Sequence, residues 1–194
     1  MSHFGRRFVL KSHTEEKFVQ TILYFAHHTQ ALGKIKLFKL LFLLDFEHFR
    51  QTGRSVTGME YRAWRMGPVP AELVQQWDQP DDVLRNAIKI VPEQIISYSR
   101  DRVVPLQPFD ARHFSKREMR LMESIAMEYR DTLSEGMIDV THAENGAWCK
   151  TWREGEGNDQ VIDYRLAISA DAPDRDSVLA STAFYEGLAA ARTH

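Results

Sequence analysis

The segment from Lys34 to Arg50 constrains the fold of this chain most, because it is apolar on almost every side. Its large apolar side chains are Ile35, Leu37, Phe38, Leu40, Leu41, Phe42, Leu43, Leu44, Phe46 and Phe49. A helix that is apolar nearly all round has no face for solvent, so other elements must cover it. Gly53 suits the left-handed residue that follows a helix. We therefore predict a central, buried helix that ends just before Gly53.

Two further helix starts stand out in the sequence. Thr14 precedes a run of apolar side chains at helical spacing, and it is the predicted N-cap of the first helix. Ser115 is followed three residues later by Glu118, the spacing of a capping box, in which each side chain bonds the other residue's backbone N–H. This pair predicts a helix beginning at residue 116.

Extended structure is predicted in two places. Residues 60–65 alternate between the two faces of a strand, and 67–70, Gly-Pro-Val-Pro, are predicted to break that strand with a fixed turn. Residues 87–91 and 102–106 are candidate strands, and we predict a small hairpin there. Residues 147–152, which include two tryptophans, are predicted to lie on a turn.

Composition sets the class of protein. The chain has 194 residues, 43% of them hydrophobic, and its single cysteine, Cys149, cannot form an internal disulfide. No apolar stretch approaches the roughly twenty residues of a membrane span, so we expect a cytoplasmic protein that does not bind membranes. The expected fold is mainly α (α+β): a compact helical domain around the central helix, with a small β-hairpin or short sheet. We predict an N-terminal arm (1–13), a domain (14–155) and a C-terminal extension (156–194) whose final helix packs on the domain.

Motifs of catalysis are absent from the sequence, so we expect no enzyme and no cofactor. It has no G-x-S-x-G elbow, Gly-Lys phosphate loop, H-E-x-x-H or paired cysteines. One alternative is a metal-dependent enzyme in which Asp45 and His48, on one helix face, bind a metal together with His27 and His28 on the preceding helix. The competing interpretation is that these are polar positions on helices, and we favour it because ligand sets need convergent geometry.

His142 and Cys149 leave a second alternative open. Cys149 is a candidate nucleophile with His142 as its base, although a lone cysteine is more often an inert core residue. For His142 we favour a structural role near a helix end, with its ring bonded to a backbone carbonyl.

A third alternative is a nucleic-acid-binding transcriptional regulator that uses the basic N-terminal third. Residues 1–40 hold seven Lys and Arg against two Glu, whereas residues 121–194 hold fourteen Asp and Glu against six Lys and Arg. The cluster that would contact phosphates consists of Arg6, Arg7, Lys11, Lys34, Lys36 and Lys39. The net charge of -2 and the lack of a recognition-helix motif argue against this function.

Two blocks of the sequence, taken in order, resemble a known family. The first comprises 36–45, 53–54 and 61–70, where Tyr-Arg-Ala-Trp-Arg-Met precedes Gly-Pro-Val-Pro. The second comprises 133–144, which contains a Thr-His pair, and the Ala-Trp at 147–148. This pattern resembles the Panacea domain of SocA-like antitoxins and phage-associated relatives. Because both blocks appear in the family's order, the resemblance is more specific than either block alone.

The resemblance implies a mostly helical domain that neutralises a cognate protein toxin encoded nearby, by direct protein–protein binding. It also implies that some relatives act as proteolytic adaptors, which bring the toxin to a protease chaperone. We assign the motif residues to the scaffold or to partner binding, and mainly to the scaffold, because apolar and turn-forming residues usually build the module. These residues are Lys39, Leu40, Leu41, Gly53, Trp64, Gly67, Pro68, Val69, His142 and Trp148.

Overall fold

The computed structural model describes residues 7–95, 99–142 and 146–191, with side chains described from residue 15 onward. Within these ranges the chain forms eight α-helices: Arg7–His28 (α1), Lys34–Thr52 (α2), Ala71–Gln76 (α3), Asp82–Ala87 (α4), Lys116–Glu128 (α5), Ser134–Thr141 (α6), Ala147–Trp152 (α7) and Arg175–Ala191 (α8). It also forms two antiparallel hairpins, Tyr61–Trp64 (β1) with Gly67–Pro70 (β2) and Ile88–Gln94 (β3) with Ser99–Pro105 (β4). The fold is mainly α with two small sheets, as predicted.

Helix α2 is the centre of the molecule. It contacts α1, α5, α6 and α8 as well as β2 and β4, so the predicted central helix is confirmed. Leu37, Leu40 and Leu41 are fully buried, and burial of each leucine stabilises the fold by about 1.5–3 kcal/mol. Gly53 follows α2 with φ 75° and ψ 14°, and its N–H donates to the Phe49 carbonyl. The predicted left-handed glycine at this helix end is therefore also confirmed.

The two hairpins lie against the helices by means of their apolar faces. In β1, Tyr61 and Ala63 are buried while Trp64 faces outward, as the alternation predicted. The β3–β4 hairpin forms where candidate strands were predicted, with Ile88 opposite Pro105. The Val103 N–H donates to the Leu32 carbonyl at 2.8 Å, which attaches this hairpin to the connection between α1 and α2.

The prediction that Gly67–Pro70 is a turn was wrong. These residues form strand β2, in which Gly67 pairs with Trp64, and the turn consists of Arg65 and Met66 instead. Proline cannot donate to a sheet, but a two-stranded hairpin leaves one side of each strand unpaired, so Pro68 and Pro70 are tolerated. The sequence pattern suited both a turn and the edge of a hairpin.

Two other boundaries also differ from the prediction. Helix α1 begins at Arg7, so Thr14 lies inside the helix and is not its N-cap. No glycine or proline interrupts residues 7–13, and the helix therefore continues toward the N-terminus. Residues 147–152 form helix α7 and not a turn, with Ala147 and Trp148 packed into the core.

Helix α8 packs against the C-terminal end of α2. The Ser181 hydroxyl donates to the Thr52 carbonyl at 2.8 Å, and the Thr182 hydroxyl donates to the Gly53 carbonyl at 3.1 Å. The predicted capping box at the start of α5 is confirmed, since Ser115 and Glu118 bond each other's backbone N–H. The division into arm, domain and extension stays a prediction. No described helix combines the length and apolarity that a bilayer span requires.

Candidate functional site

The two sequence blocks meet in one place, beside the middle of α2. Here α2 faces strand β2, and the end of α6 and the start of α7 complete the surroundings. We call the residues that join at this point the signature cluster: Lys39, Gly67, Pro68, His142 and Trp148. The Lys39 ammonium donates to the Pro68 carbonyl at 2.9 Å, which links the central helix directly to the hairpin.

Gly67 is required at its position for two reasons. Its φ of +98° lies in the region that L-residues rarely adopt. A methyl group added there would lie 2.5 Å from Lys39 Nζ and 3.0 Å from Thr141 Oγ1. The absence of a side chain therefore lets α2, β2 and α6 approach one another.

Lys39 is the most unusual group in the cluster. It is 1% exposed, and the only hydrogen bond that the described residues give its three donors is the one to Pro68. Burial removes the ammonium from water and lowers the pKa of Lys39 to about 7. This amine therefore changes its charge close to neutral pH.

His142 lies next to that amine and is also incompletely paired. Its ring stacks on Trp148, with 3.8 Å between ring centroids and an interplanar angle of 2°. Nε2 of His142 is buried and has no hydrogen-bond partner among the described residues, and the predicted bond from the ring to a backbone carbonyl stays a prediction. Burial lowers the pKa of His142, and the positive charge of Lys39 lowers it further, while Asp139 acts in the opposite direction. Burial and the Lys39 charge therefore favour the neutral imidazole.

The tryptophans connect the cluster to the protein surface. The Trp148 indole N–H donates to the Trp64 carbonyl at 3.0 Å, so α7 is bonded to β1 of the other block. The Trp64 side chain points outward, is 41% exposed and donates to Asp159 Oδ1 at 3.0 Å. The backbone of Trp64 thus belongs to the interior, whereas its ring is part of the surface.

Comparison with protein families shows to which family this chain belongs. The model of the family "Antitoxin SocA-like, Panacea domain" matches residues 37–149, which is more than half of the chain. The chain belongs to the SocA-like antitoxin family. The matched range includes every residue of the signature cluster, so the cluster is the junction between the two halves of the Panacea domain. Comparisons with curated proteins and with solved structures give no match.

The other predicted motif residues of the Panacea domain lie outside the cluster. Leu40 and Leu41 are fully buried core residues, and Val69 is 6% exposed. Gly53 lies at the end of α2, roughly 20 Å from Lys39 along the helix axis at 1.5 Å per residue. The motif therefore combines one compact cluster with separate positions that build the core and end the helix.

Asp45 forms a second polar centre in the Panacea domain. Its carboxylate is fully buried and accepts hydrogen bonds from the backbone N–H groups of Val56 and Thr57, both at 2.8 Å, and from the hydroxyl groups of Thr57 and Tyr61. Burial raises the pKa of Asp45, and the bonds from Thr57, Tyr61 and Val56 act in the opposite direction. An aspartate inside an apolar helix was the sequence signal for this centre, but its partners were not apparent.

The predicted metal ligands do not converge. Asp45 is engaged by the donors above, and His48 Nδ1 lies 2.7 Å from the Arg54 carbonyl. His27 Nε2 lies 2.9 Å from the Gln107 carbonyl, and His28 Nδ1 lies 2.8 Å from the Tyr24 carbonyl. Within the described ranges, no group of three or more His, Cys, Asp or Glu is arranged to hold a metal ion. Cys149 is half-buried beside Trp148, and its pairing with His142 stays a prediction.

Two members of the predicted basic cluster, Lys36 and Lys39, lie inside the protein. Lys36 is fully buried, and its ammonium donates to the carbonyls of Gln30 and Arg130 at 2.9 and 2.8 Å. Burial lowers the pKa of Lys36 to about 8, although Asp131 opposes this shift. Lys36 and Lys39 therefore bind backbone carbonyls and cannot reach a nucleic-acid phosphate. Arg6 lies outside the described residues, and the side chains of Arg7 and Lys11 are not described either.

Proposed function

We propose that this protein is a cytoplasmic antitoxin that neutralises a cognate protein toxin, encoded nearby, by direct binding. The observation that carries the proposal is the family match over residues 37–149, together with both signature blocks in one packed cluster. The polar groups of this cluster mainly bind backbone carbonyls and neighbouring rings, as a scaffold requires. The proposal therefore assigns binding, and not catalysis, to the domain.

The motif residues have a defined role in this proposal. Trp64, Gly67, Pro68, His142 and Trp148 hold the α2, hairpin and α7 elements in register through the contacts described above. The toxin is then recognised by exposed side chains outside the motif. Such a division supports a family in which one scaffold carries different partner surfaces.

Co-expression with the neighbouring gene tests the proposal. The product of that gene should stop growth when it is expressed alone, and this chain should restore growth. The two proteins should also co-purify as a complex. If the neighbour is harmless alone, or if it stays toxic and unbound in the presence of this chain, the proposed function is wrong.

The stability of the toxin separates sequestration from proteolytic delivery. A toxin that is neutralised by binding alone should keep its half-life when this chain is present, and rescue should persist in cells that lack the relevant proteases. A toxin that is delivered to a protease should disappear faster, and rescue should depend on that protease.

A further inference from the structure

Two adjoining cavities lie where α8 crosses the end of α2. Their volumes are about 540 and 500 Å³, and both are lined by Lys17, Arg54, Ser55 and Tyr185. They are therefore two halves of one surface depression, divided by the Arg54 side chain, whose guanidinium lies 4.2 Å from the centre of the Tyr185 ring. We call this depression the α8 groove.

One half of the α8 groove, which we call the apolar half, holds its apolar side chains and borders an exposed stretch of helix. Phe49, Tyr164 and Leu188 line this half. Helix α8 is held by buried Val178 and Thr182, but every residue from 183 to 191 is exposed. This part contains three of the large apolar side chains that the described chain leaves exposed: Phe184 at 62%, Tyr185 at 39% and Leu188 at 40%. An apolar helix face of this kind usually marks an interaction site.

The other half of the α8 groove carries positive charge. The Arg117 side chain lines it, and Arg54 separates it from the apolar half. The groove's carboxylates are already paired: Glu118 lies 2.6 Å from Lys17 Nζ, and Glu186 lies 2.7 Å from Arg165. Arg54 and Arg117, by contrast, have no carboxylate partner among the described residues. The groove therefore offers two cationic side chains to a binding partner.

We propose that the α8 groove binds an amphipathic, acidic segment of the toxin. Apolar side chains of that segment cover Leu188 and Tyr185, and its carboxylates face Arg54 and Arg117. This inference rests on the proposed function and names the surface that performs it. A second copy of this chain fits the groove less well, because a twofold contact through the same patch would bring the arginines of both copies together.

A pair of leucine substitutions tests the apolar half. The probe is the product of the neighbouring gene, made by cell-free synthesis, and the measurement is its Kd for the full-length chain. Leu188→Glu should weaken binding about 10- to 100-fold, because it places a charge in a desolvated contact. Leu106→Glu is the matched control, since Leu106 is 54% exposed near the β3–β4 hairpin. It should leave the Kd within about twofold of the wild type.

A pair of arginine substitutions tests the charged half. The double variant Arg54→Glu and Arg117→Glu should weaken binding about 10- to 100-fold and reduce its dependence on salt, because opposite charges across an interface attract most at low ionic strength. Arg102→Glu, on the exposed side of β4, is the control and should bind as the wild type does. All these positions are exposed, so circular dichroism and thermal melting should show an unchanged fold.

The outcomes separate the two proposals. If the wild-type chain does not bind the neighbouring product, the proposed function fails and this inference fails with it. If the wild type binds, and the folded groove variants bind equally well, the inference is overturned while the proposed function stands. A loss of binding in Met66→Glu, at the β1–β2 turn, without a loss in the groove variants would place the interface on that hairpin. A wild-type dimer that Leu188→Glu converts to a monomer would identify a second copy as the occupant.

Discussion

Asp45 and Lys39 lie six residues apart on the same helix, and both are buried, but their partners differ. Asp45 accepts four hydrogen bonds from Val56, Thr57 and Tyr61, which follow it closely along the chain. Lys39 makes one described hydrogen bond, to Pro68, and its charge lowers the pKa of His142, whose Nε2 has no hydrogen-bond partner among the described residues. A buried polar group whose hydrogen bonds are all made holds a nearby segment in place. A buried amine with few hydrogen bonds instead makes a contact between distant parts of the chain sensitive to pH.

The largest expected effect on stability is at Asp45. Asp45→Ala leaves two hydroxyl groups and two backbone N–H groups buried without their acceptor, so the free energy of unfolding should fall by about 3–5 kcal/mol. Chemical denaturation measures this change. Asp78→Ala, at an exposed aspartate, is the control and should change the same quantity by less than about 0.5 kcal/mol. A loss of under about 1 kcal/mol at Asp45 would show that the four hydrogen bonds do not anchor the loop.

The next effect concerns Lys39 and pH. In the unfolded chain the pKa of Lys39 is the ordinary 10.5, but in the folded protein it is lowered to about 7. Between these values the unfolded state binds more protons, so stability rises as pH rises and the full penalty is present below pH 7. From pH 7 to pH 9.5 the wild type should gain on the order of 3 kcal/mol relative to Lys39→Met.

The difference between wild type and variant is the quantity to measure, because Lys36 and the buried tyrosines titrate in both proteins. Denaturation curves at several pH values provide it. Identical pH profiles for the wild type and Lys39→Met would mean that the amine keeps its proton when buried. In that case Lys39 and Asp45 would differ in their hydrogen-bond partners, and not in how stability at the two sites depends on pH.

Gly67→Ala tests the close approach within the signature cluster. The added methyl group would lie 2.5 Å from Lys39 Nζ at a positive φ, so we expect a loss of about 1–3 kcal/mol in the free energy of unfolding. Gly187→Ala is the matched control, since a methyl group on that exposed helical glycine meets no atom within 4 Å. It should stabilise the protein by about 0.5–1 kcal/mol. Equal effects at the two positions would contradict the packing argument.

The smallest effect is expected from Trp148→Phe. It removes the indole hydrogen bond to the Trp64 carbonyl and part of the stack on His142, so thermal or chemical unfolding should reveal a loss of about 1–2 kcal/mol. Trp152→Phe is the control, because the described residues give its indole N–H no hydrogen bond. It should lose less than Trp148→Phe, and the reverse order would show that the α7–β1 bond contributes little.

Much of the fold was predictable because its signals are local. The apolar pattern of α2, the left-handed Gly53 and the Ser115 capping box depend on residues a few positions apart, and each was confirmed. The conformation of Gly67–Pro70 was harder to predict, because the same residues suit a turn or the edge of a hairpin. Pairing with β1 decided between them.

The candidate site was predictable as a set of residues but not as a geometry. The resemblance identified Trp64, Gly67, His142 and Trp148, and the structure brings these together at one junction. It could not show that Lys39 is buried there, since a lysine in a sequence is normally assigned to the surface. The partners of Asp45 were missed for another reason, because Val56 and Thr57 lie in a loop without a sequence pattern and nothing in the sequence links Tyr61 of β1 to Asp45.

By itself, the sequence determined that α2 must be covered, where its end lies, and to which family the chain belongs. Those features depend on hydrophobic periodicity, backbone conformation and residue identity, which are properties of short segments. Only the tertiary structure decided that Lys36 and Lys39 face inward and that the end of α8 stays exposed. A buried ammonium needs carbonyl acceptors, and these come from Pro68, Gln30 and Arg130, far from each other in the chain. Burial of such a charge is therefore a property of the assembled fold.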